Sequence, residues 1–347
     1  MPLFEHSEFD DHETVVHCTD SASGLRAIIA IHDSRLGPAL GGCRMWPYAD
    51  EAAALTDVLR LSRGMTYKSA LAGLSFGGGK SVIIGDPRSQ KTPALMAAMG
   101  RAVERLGGGY IVAEDVGIGT ADVVAMARET AHVAGLPDQG GDPSPATAFG
   151  VYQGIRASVA FRLRRNGLDG VRVAVQGLGQ VGRSLCDRLA ADGAQLVVAD
   201  LNPQALERAA DMHRATVVAP DAVHAQAVDV FAPCALGAVV NDETIGQIQA
   251  PVVAGSANNQ LAAARHGTAL MERDILYAPD YVINAGGIIN IAHEPWHTGR
   301  PYSRDAAFAD VARIHDTLLE IFGEARAAGI ATEAAANRLA ERRLAAA

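Results

Sequence analysis

The chain has 347 residues, of which 49% are hydrophobic and 20% charged, with a formal net charge of −9, enough length for two domains and a large buried core. The acidic balance excludes a nucleic-acid surface, which needs a basic field, and no uninterrupted apolar run is long enough for a membrane span. The acidic start MPLFEHSEFDDHETVV lacks the basic segment and apolar stretch of a secretory signal, so the cytoplasm is the expected compartment and small molecules the expected partners. Cys18, Cys43, Cys186 and Cys234 form no CxxC pair and the histidines no HExxH, so the cysteines read as packing residues and no metal site is expected.

The first chemical signal along the chain is GLSFGGGKSVII, residues 73–84. A phosphate-binding P-loop places four residues between its first glycine and its Gly-Lys pair, whereas Gly73 and Gly79 enclose five. The strand-like SVIIG also follows the lysine, where a P-loop has its strand in front. Lys68 in GMTYKSA precedes this segment and Asp115 in YIVAEDVG follows it. By charge alone the three suit a solvated salt-bridge face. Lys80, however, lies between three glycines and a buried strand, a place that suits a base withdrawn from solvent.

The stretch GLPDQGGDPSPAT, residues 135–147, opposes regular structure and marks a linker or hinge. TAFGVYQGIRASVAFRL then has helical spacing, and VRVAV, residues 171–175, reads as a buried parallel strand. Gly177, Gly179 and Gly182 follow as G-x-G-x-x-G, running through Leu178, Gln180 and Val181 into a helix. The next strand, QLVVAD, ends on Asp200, where a carboxylate accepts from ribose hydroxyls. Strand, glycine spacing, helix and terminal acid together predict dinucleotide binding, and Asp200 favours NAD because it would repel the 2′-phosphate of NADP.

VDVFAPCALGAVV, PVVAGSANNQL and YVINAGGIINI each read as an apolar strand ending in a small or polar cluster, as in a doubly wound sheet. The ligand-facing clusters are then 234–236, 257–259 and 284–287. HEPWHTGRPYS, residues 293–303, reads as a surface connection, and the Ala-rich end as a helix.

GPALGGCRMW, LRLSRGMTYKSALAGLSFGGGKSVIIGDP, AEDVG, GDPSPATAFGV, AVQGLGQVG, APCALGAVVNDETI, VVAGSANNQL and YAPDYVINAGGIIN together resemble the NAD-dependent amino-acid dehydrogenases, in the leucine, phenylalanine and valine dehydrogenase branch of the Glu/Leu/Phe/Val family. The resemblance runs from about residue 28 to residue 342 in the same order. It implies an α/β protein of two domains separated by a cleft. An N-terminal substrate and oligomerisation domain would span 1–136 and a Rossmann-type doubly wound NAD domain 137–325, with a C-terminal helix at about 326–347 returning to the first. The implied reaction is reversible oxidative deamination of an aliphatic or aromatic L-amino acid to its 2-oxo acid and ammonia, in a homodimer or larger homo-oligomer.

Carried over by motif, Lys68 would bind the substrate α-carboxylate with Asn258 assisting. Lys80 would be the general base that activates water, and Asp115 would shuttle a proton to and from the substrate nitrogen. Arg44, Thr147, Ala235 and Ala257 would touch the cofactor. The chemistry asks for such a set, since hydride leaves Cα only when nitrogen can form a double bond and a fixed cation holds the carboxylate. An NAD-binding protein without activity would not need it.

In glutamate-specific relatives a lysine stands at the position of Leu40 and a serine at that of Ile291. With aliphatic residues at both, glutamate would bury an uncompensated charge. Leu40, Gly41, Ala113, Ile288 and Ile291 resemble a leucine-type lining and favour a branched aliphatic substrate, with phenylalanine as the alternative.

Overall fold

The computed structural model describes residues 3–137, 139–235 and 237–347. Asp138, in the expected linker, and Leu236, in one expected ligand cluster, lie outside the described residues. The chain divides into two compact units, one of residues 1–142, 291–302 and 340–347, the other of residues 143–290 and 303–339. This division differs from the one expected. It changes at Asp142/Pro143 and adds a separate segment, Ile291–Tyr302, to the first unit, and only Ala340–Ala347 rejoins that unit at the end. Glycine and proline density marks where regular structure stops, but not where packing partners change. No described helix is long and apolar enough to cross a membrane.

The first unit holds a five-stranded sheet in the order β1-β2-β4-β3-β5, built from β1 (Thr14–Asp20), β2 (Leu25–Asp33), β3 (Ala39–Trp46), β4 (Gly77–Ile84) and β5 (Tyr110–Glu114). β2 runs antiparallel to β1 and β4, while β3 runs parallel to β4 and β5. Both faces are covered, so alternate residues of β2 enter different cores. Ile29 and Ile31 pack with Met45, Met99 and Tyr110, whereas Ile28 and Ala30 pack with Val58, Leu59 and Val82.

Helix α1 (Glu51–Ala72) supplies the second of these cores. The Asp50 side chain caps its start, accepting from the Ala53 amide at 2.8 Å, and Gly73 ends it in the left-handed region at φ 68°. The glycines before Lys80 form no turn, because they already belong to β4. A Cβ on Gly78 would lie 2.1 Å from the backbone nitrogen of Thr66, so the glycine lets α1 seat directly on the strand. α2 (Pro93–Glu104) and α3 (Thr120–Met126) contribute Met96, Met99, Val123 and Met126 to the other core.

The segment expected as a surface connection is exposed over 297–301, as expected, but its start is anchored in the first unit. Glu294 is fully buried, and the Trp296 and His297 rings lie 5.8 and 4.3 Å from the ring of Phe76. A sequence dense in His, Pro, Gly and Arg hides this, since its anchors are one acid and one aromatic.

In the second unit six parallel strands run in the order β11-β10-β9-β6-β7-β8: β6 (Arg172–Gln176), β7 (Gln195–Ala199), β8 (Thr216–Val217), β9 (Val230–Pro233), β10 (Val252–Val253) and β11 (Leu276–Tyr277). This is the doubly wound nucleotide-binding order, with the change of direction between β6 and β9. α4 (Ser144–Leu163) and α5 (Gln180–Ala191) pack together beside it.

YVINAGGIINI forms no strand, contrary to expectation. The strand is the preceding Leu276–Tyr277, and after Pro279 the run is helical over Asp280–Ile283 and Gly286–Ile291. A short buried helix and a buried strand share one apolar signature, so periodicity could not separate them.

Candidate active site

Three strands of the first unit bring three charges together. Lys80 projects from β4, Arg44 from β3, and Asp115 follows β5 directly. Lys80 Nζ lies 2.7 Å from Asp115 Oδ2, and Arg44 Nε donates to the same oxygen at 3.2 Å. The parallel register sets Gly42 beside Ala113, and a Cβ on Gly42 would come within 2.7 Å of the Asp115 Cβ. Glycine at this position is what gives the carboxylate its seat.

Lys80 is only 6% exposed, so the solvated-face reading of these charges does not hold. Burial pushes the Asp115 carboxyl up, but Lys80 and Arg44 outweigh it and hold it at about 2. Arg44 Nη1 also donates to Asp57 Oδ2 at 2.9 Å, and the Tyr48 hydroxyl donates to that oxygen at 2.5 Å. Burial and the adjacent Asp57 push the Tyr48 hydroxyl far up, so it stays a proton donor. Neither Tyr48 nor Asp57 stood out in the sequence. The one available signal was an acid on the half-buried side of α1 shortly after an arginine.

Lys68 is half-buried on α1, two residues beyond Thr66, whose hydroxyl bonds His32 Nδ1 at 2.8 Å. The predicted lining residues Leu40 and Gly41 lie on β3 beside Ile111 and Val112, and Ala113 is next along β5. Leu40 is 1% exposed, and the Tyr110 hydroxyl donates to the Gly41 carbonyl at 2.7 Å. Ile288 and Ile291 share the helix Gly286–Ile291, Ile288 buried and Ile291 half-buried at its end.

In the second unit Gly177, Asp200, Ala235, Ala257 and Asn258 follow the carboxyl ends of β6, β7, β9 and β10, while Thr147 and Ile288 lie on helices. Gly177 has φ 98°, and a Cβ on it would come 2.7 Å from that of Ala235, after β9. The Ala257 amide donates to the Pro233 carbonyl at 3.0 Å. Asp200 Oδ2 accepts from the Leu178 amide at 2.5 Å and Oδ1 from the Asn202 amide at 2.7 Å, so the acid braces the glycine loop. A Cβ on Gly182 would lie 2.0 Å from the Gly177 carbonyl oxygen, which shows how closely α5 approaches the loop. Gln180 and Val181 open α5, whose N-cap Gly179 makes no side-chain cap.

Asn258 Oδ1 accepts from Asn284 Nδ2 at 2.7 Å. Thr147, in the first turn of α4, sits against Gly287. Among the described residues no cluster of His, Cys, Asp and Glu is arranged to hold a metal ion.

The family model described as Glu/Leu/Phe/Val dehydrogenase, dimerisation domain, matches residues 12–132, and the Glutamate/Leucine/Phenylalanine/Valine dehydrogenase model matches 199–347. The chain is 51% identical over 348 residues to a leucine dehydrogenase of Bacillus cereus, covering 99% of this chain and 94% of that protein. It is 46% identical over 350 residues to a phenylalanine dehydrogenase of Bacillus thermotolerans, covering 99% and 90%. The crystal structure of L-tryptophan dehydrogenase from Nostoc punctiforme matches with a TM-score of 0.84 at 46% identity over 96% of each chain. The chain belongs to the Glu/Leu/Phe/Val dehydrogenase family.

This amino-acid dehydrogenase therefore catalyses oxidative deamination, with the nicotinamide dinucleotide that enzymes of its family use. Its second unit fits such a cofactor. The α5 start has no side-chain cap on its backbone N–H groups, which suits a pyrophosphate, Gly177 takes the positive φ that glycine allows, and Asp200 at the end of β7 is bonded to the glycine loop.

Proposed function

We propose that this dehydrogenase uses NAD and acts on branched aliphatic L-amino acids, leucine foremost, in the cytoplasm as a homodimer or larger homo-oligomer. The observation that carries the catalytic reading is the buried Lys80–Asp115 contact of 2.7 Å. When bound, NAD accepts the hydride that leaves the substrate Cα. Lys68, with the Asn258 amide, holds the α-carboxylate, and Asp115 takes a proton from the substrate ammonium so that nitrogen can form the C=N bond. Lys80, as the neutral amine at this step, then removes a proton from the water that adds to the imino carbon. Asp115 returns its proton to nitrogen, and ammonia leaves as the carbonyl forms, the hydroxyl proton passing to solvent.

The two carboxylate-linked cations fit this order. Once Lys80 has taken the water's proton it is a second cation on Oδ2 beside Arg44, which favours the ionised carboxylate and so the return of its proton to nitrogen. Leu178, Gly179, Gln180, Val181 and Gly182 form the pyrophosphate loop, with Thr147, Ala235 and Ala257 beside the dinucleotide. Arg44, expected to touch the cofactor, has Nε and Nη1 engaged by Asp115 and Asp57.

The leucine preference is supported by the aliphatic Leu40, Ile288 and Ile291 and by leucine dehydrogenases at 48 to 51% identity. The cytoplasm fits four free cysteines, and self-association fits the dimerisation-domain match.

The test is NADH formation from NAD and a panel of L-amino acids at alkaline pH. Branched aliphatic substrates should give the highest kcat/KM and glutamate the lowest. Lys80→Ala should lose at least about 100-fold in kcat while keeping NAD affinity. Retention of a tenth or more of kcat would remove Lys80 as the base, and a tenfold preference for phenylalanine would overturn the substrate assignment.

A further inference from the structure

Asp115 touches two cations, and only one of them takes part in proton transfer under the function proposed above, on which this inference rests. Lys80 changes charge during the cycle. Arg44 does not, because a guanidinium keeps its proton in proteins. Arg44 is thus the constant neighbour of Asp115 Oδ2, and both ion pairs fall on that one oxygen.

An arginine left to itself would not stay there. Its long side chain has many rotamers, and a 3.2 Å contact through Nε demands one of them. The structure supplies the restraint from the far side of the guanidinium, where Asp57 on α1 accepts from Nη1 and Tyr48 donates to the same Asp57 oxygen. The Arg44 and Asp57 side chains are only 16% and 25% exposed, so water screens this contact little. The relay runs from a strand end through a helix to the residue after another strand, all within the first unit.

We propose that Asp57 and Tyr48 are positioning residues for the dehydrogenase reaction: they fix Arg44 against Asp115 Oδ2, leaving Oδ1 as the oxygen that exchanges the substrate proton. Neither touches substrate. They act through Arg44, and that dependence is measurable.

The experiment compares Asp57→Asn, Tyr48→Phe, Arg44→Lys and the double variant Asp57→Asn/Arg44→Lys on the amino acid that wild type turns over fastest, across pH. Asp57→Asn should lower kcat about tenfold or more while KM for amino acid and NAD stays within about threefold. The acid limb of its kcat profile should move to higher pH, because Asp115 then keeps its charge less readily. Tyr48→Phe should shift both in the same direction by less, and it decides the matter if Asp57→Asn does not fold. Lysine cannot bridge two carboxylates as the guanidinium fork does, so in the Arg44→Lys background Asp57→Asn should cost less than about twofold further. A kcat within twofold of wild type in the single variants, or an undiminished loss in the Arg44→Lys background, overturns the relay. Turnover retained by Asp115→Asn would instead overturn the proton-exchange role of Asp115 itself, whatever Asp57 does.

Discussion

Gly135 donates its backbone N–H to Glu294 Oε2 at 3.0 Å across 159 residues of chain, and Trp296 Nε1 donates to the same oxygen at 2.7 Å. Glu294→Ala strands both donors. Each donor stranded at these part-buried sites costs at most about 1–3 kcal/mol, so the unfolding free energy from urea titration should fall by about 2–6 kcal/mol. Glu294→Gln keeps an acceptor and should lose less. An alanine variant within about 0.5 kcal/mol of wild type would show that these two hydrogen bonds do not hold the segment.

A pair of histidines beneath α1 predicts acid sensitivity. His12 Nε2 lies 3.0 Å from the Leu59 carbonyl oxygen and 3.1 Å from Ser62 Oγ, with its ring 4.9 Å from that of His32. Burial lowers His12 to about 4 and lowers His32 as well, the nearby Asp10 opposing only in part. A folded-state value below the unfolded 6.5 means that the unfolded chain binds more protons, so stability rises with pH. The contribution is complete above 6.5 and is lost as pH falls toward 4. The melting temperature should drop between pH 7.5 and 4.5, and His12→Gln should flatten that drop; an equally steep drop in the variant would exonerate His12.

Asp200 should set cofactor choice. Ribose hydroxyls donate to its carboxylate, whereas a 2′-phosphate meets like charge. NAD should exceed NADP in kcat/KM, and Asp200→Ser should narrow the gap. Because Asp200 also braces the Leu178 amide, the serine variant should raise KM for NAD as well. Equal kcat/KM for both cofactors in wild type would remove Asp200 from the recognition account.

Pocket size should govern the choice between leucine and phenylalanine. A few methyl groups are worth about 1–3 kcal/mol in such a pocket. Ile288→Ala or Ile291→Ala should shift the kcat/KM ratio toward phenylalanine by roughly tenfold. If neither changes the ratio, these isoleucines do not line the side-chain pocket.

The Rossmann half was legible because its signals are local: a strand, a glycine spacing and an acid lie within thirty residues, Val171 to Asp200. Lys80 and Asp115 were legible as a pair only through family motifs, because their 2.7 Å contact depends on β4 and β5 flanking β3. Strand order leaves no trace in a linear pattern. The three glycines were placed ahead of the strand by their composition, whereas they belong to β4, where Gly78 lets α1 and Gly79 lets Tyr110 and Ala39 come close. Asp57 and Tyr48 were invisible for a related reason: their purpose is defined by Arg44 rather than by any spacing of their own.

The last turns of the chain contain Arg343, whose Nη1 donates to the Leu71 carbonyl at 2.8 Å and the Ala70 carbonyl at 3.3 Å. These are carbonyls at the C-terminal end of α1, the helix that carries Lys68. On the ribosome, Leu71 emerges 272 residues before its partner, a lag of roughly 15 to 55 s at ordinary elongation rates. During that interval the α1 end faces solvent without its guanidinium, and the Gly135 amide likewise lacks Glu294. The second unit's sheet is complete by Tyr277, before either partner has been made. Translation order therefore leaves these two contacts of the first unit to form only after the second unit's sheet has been synthesised.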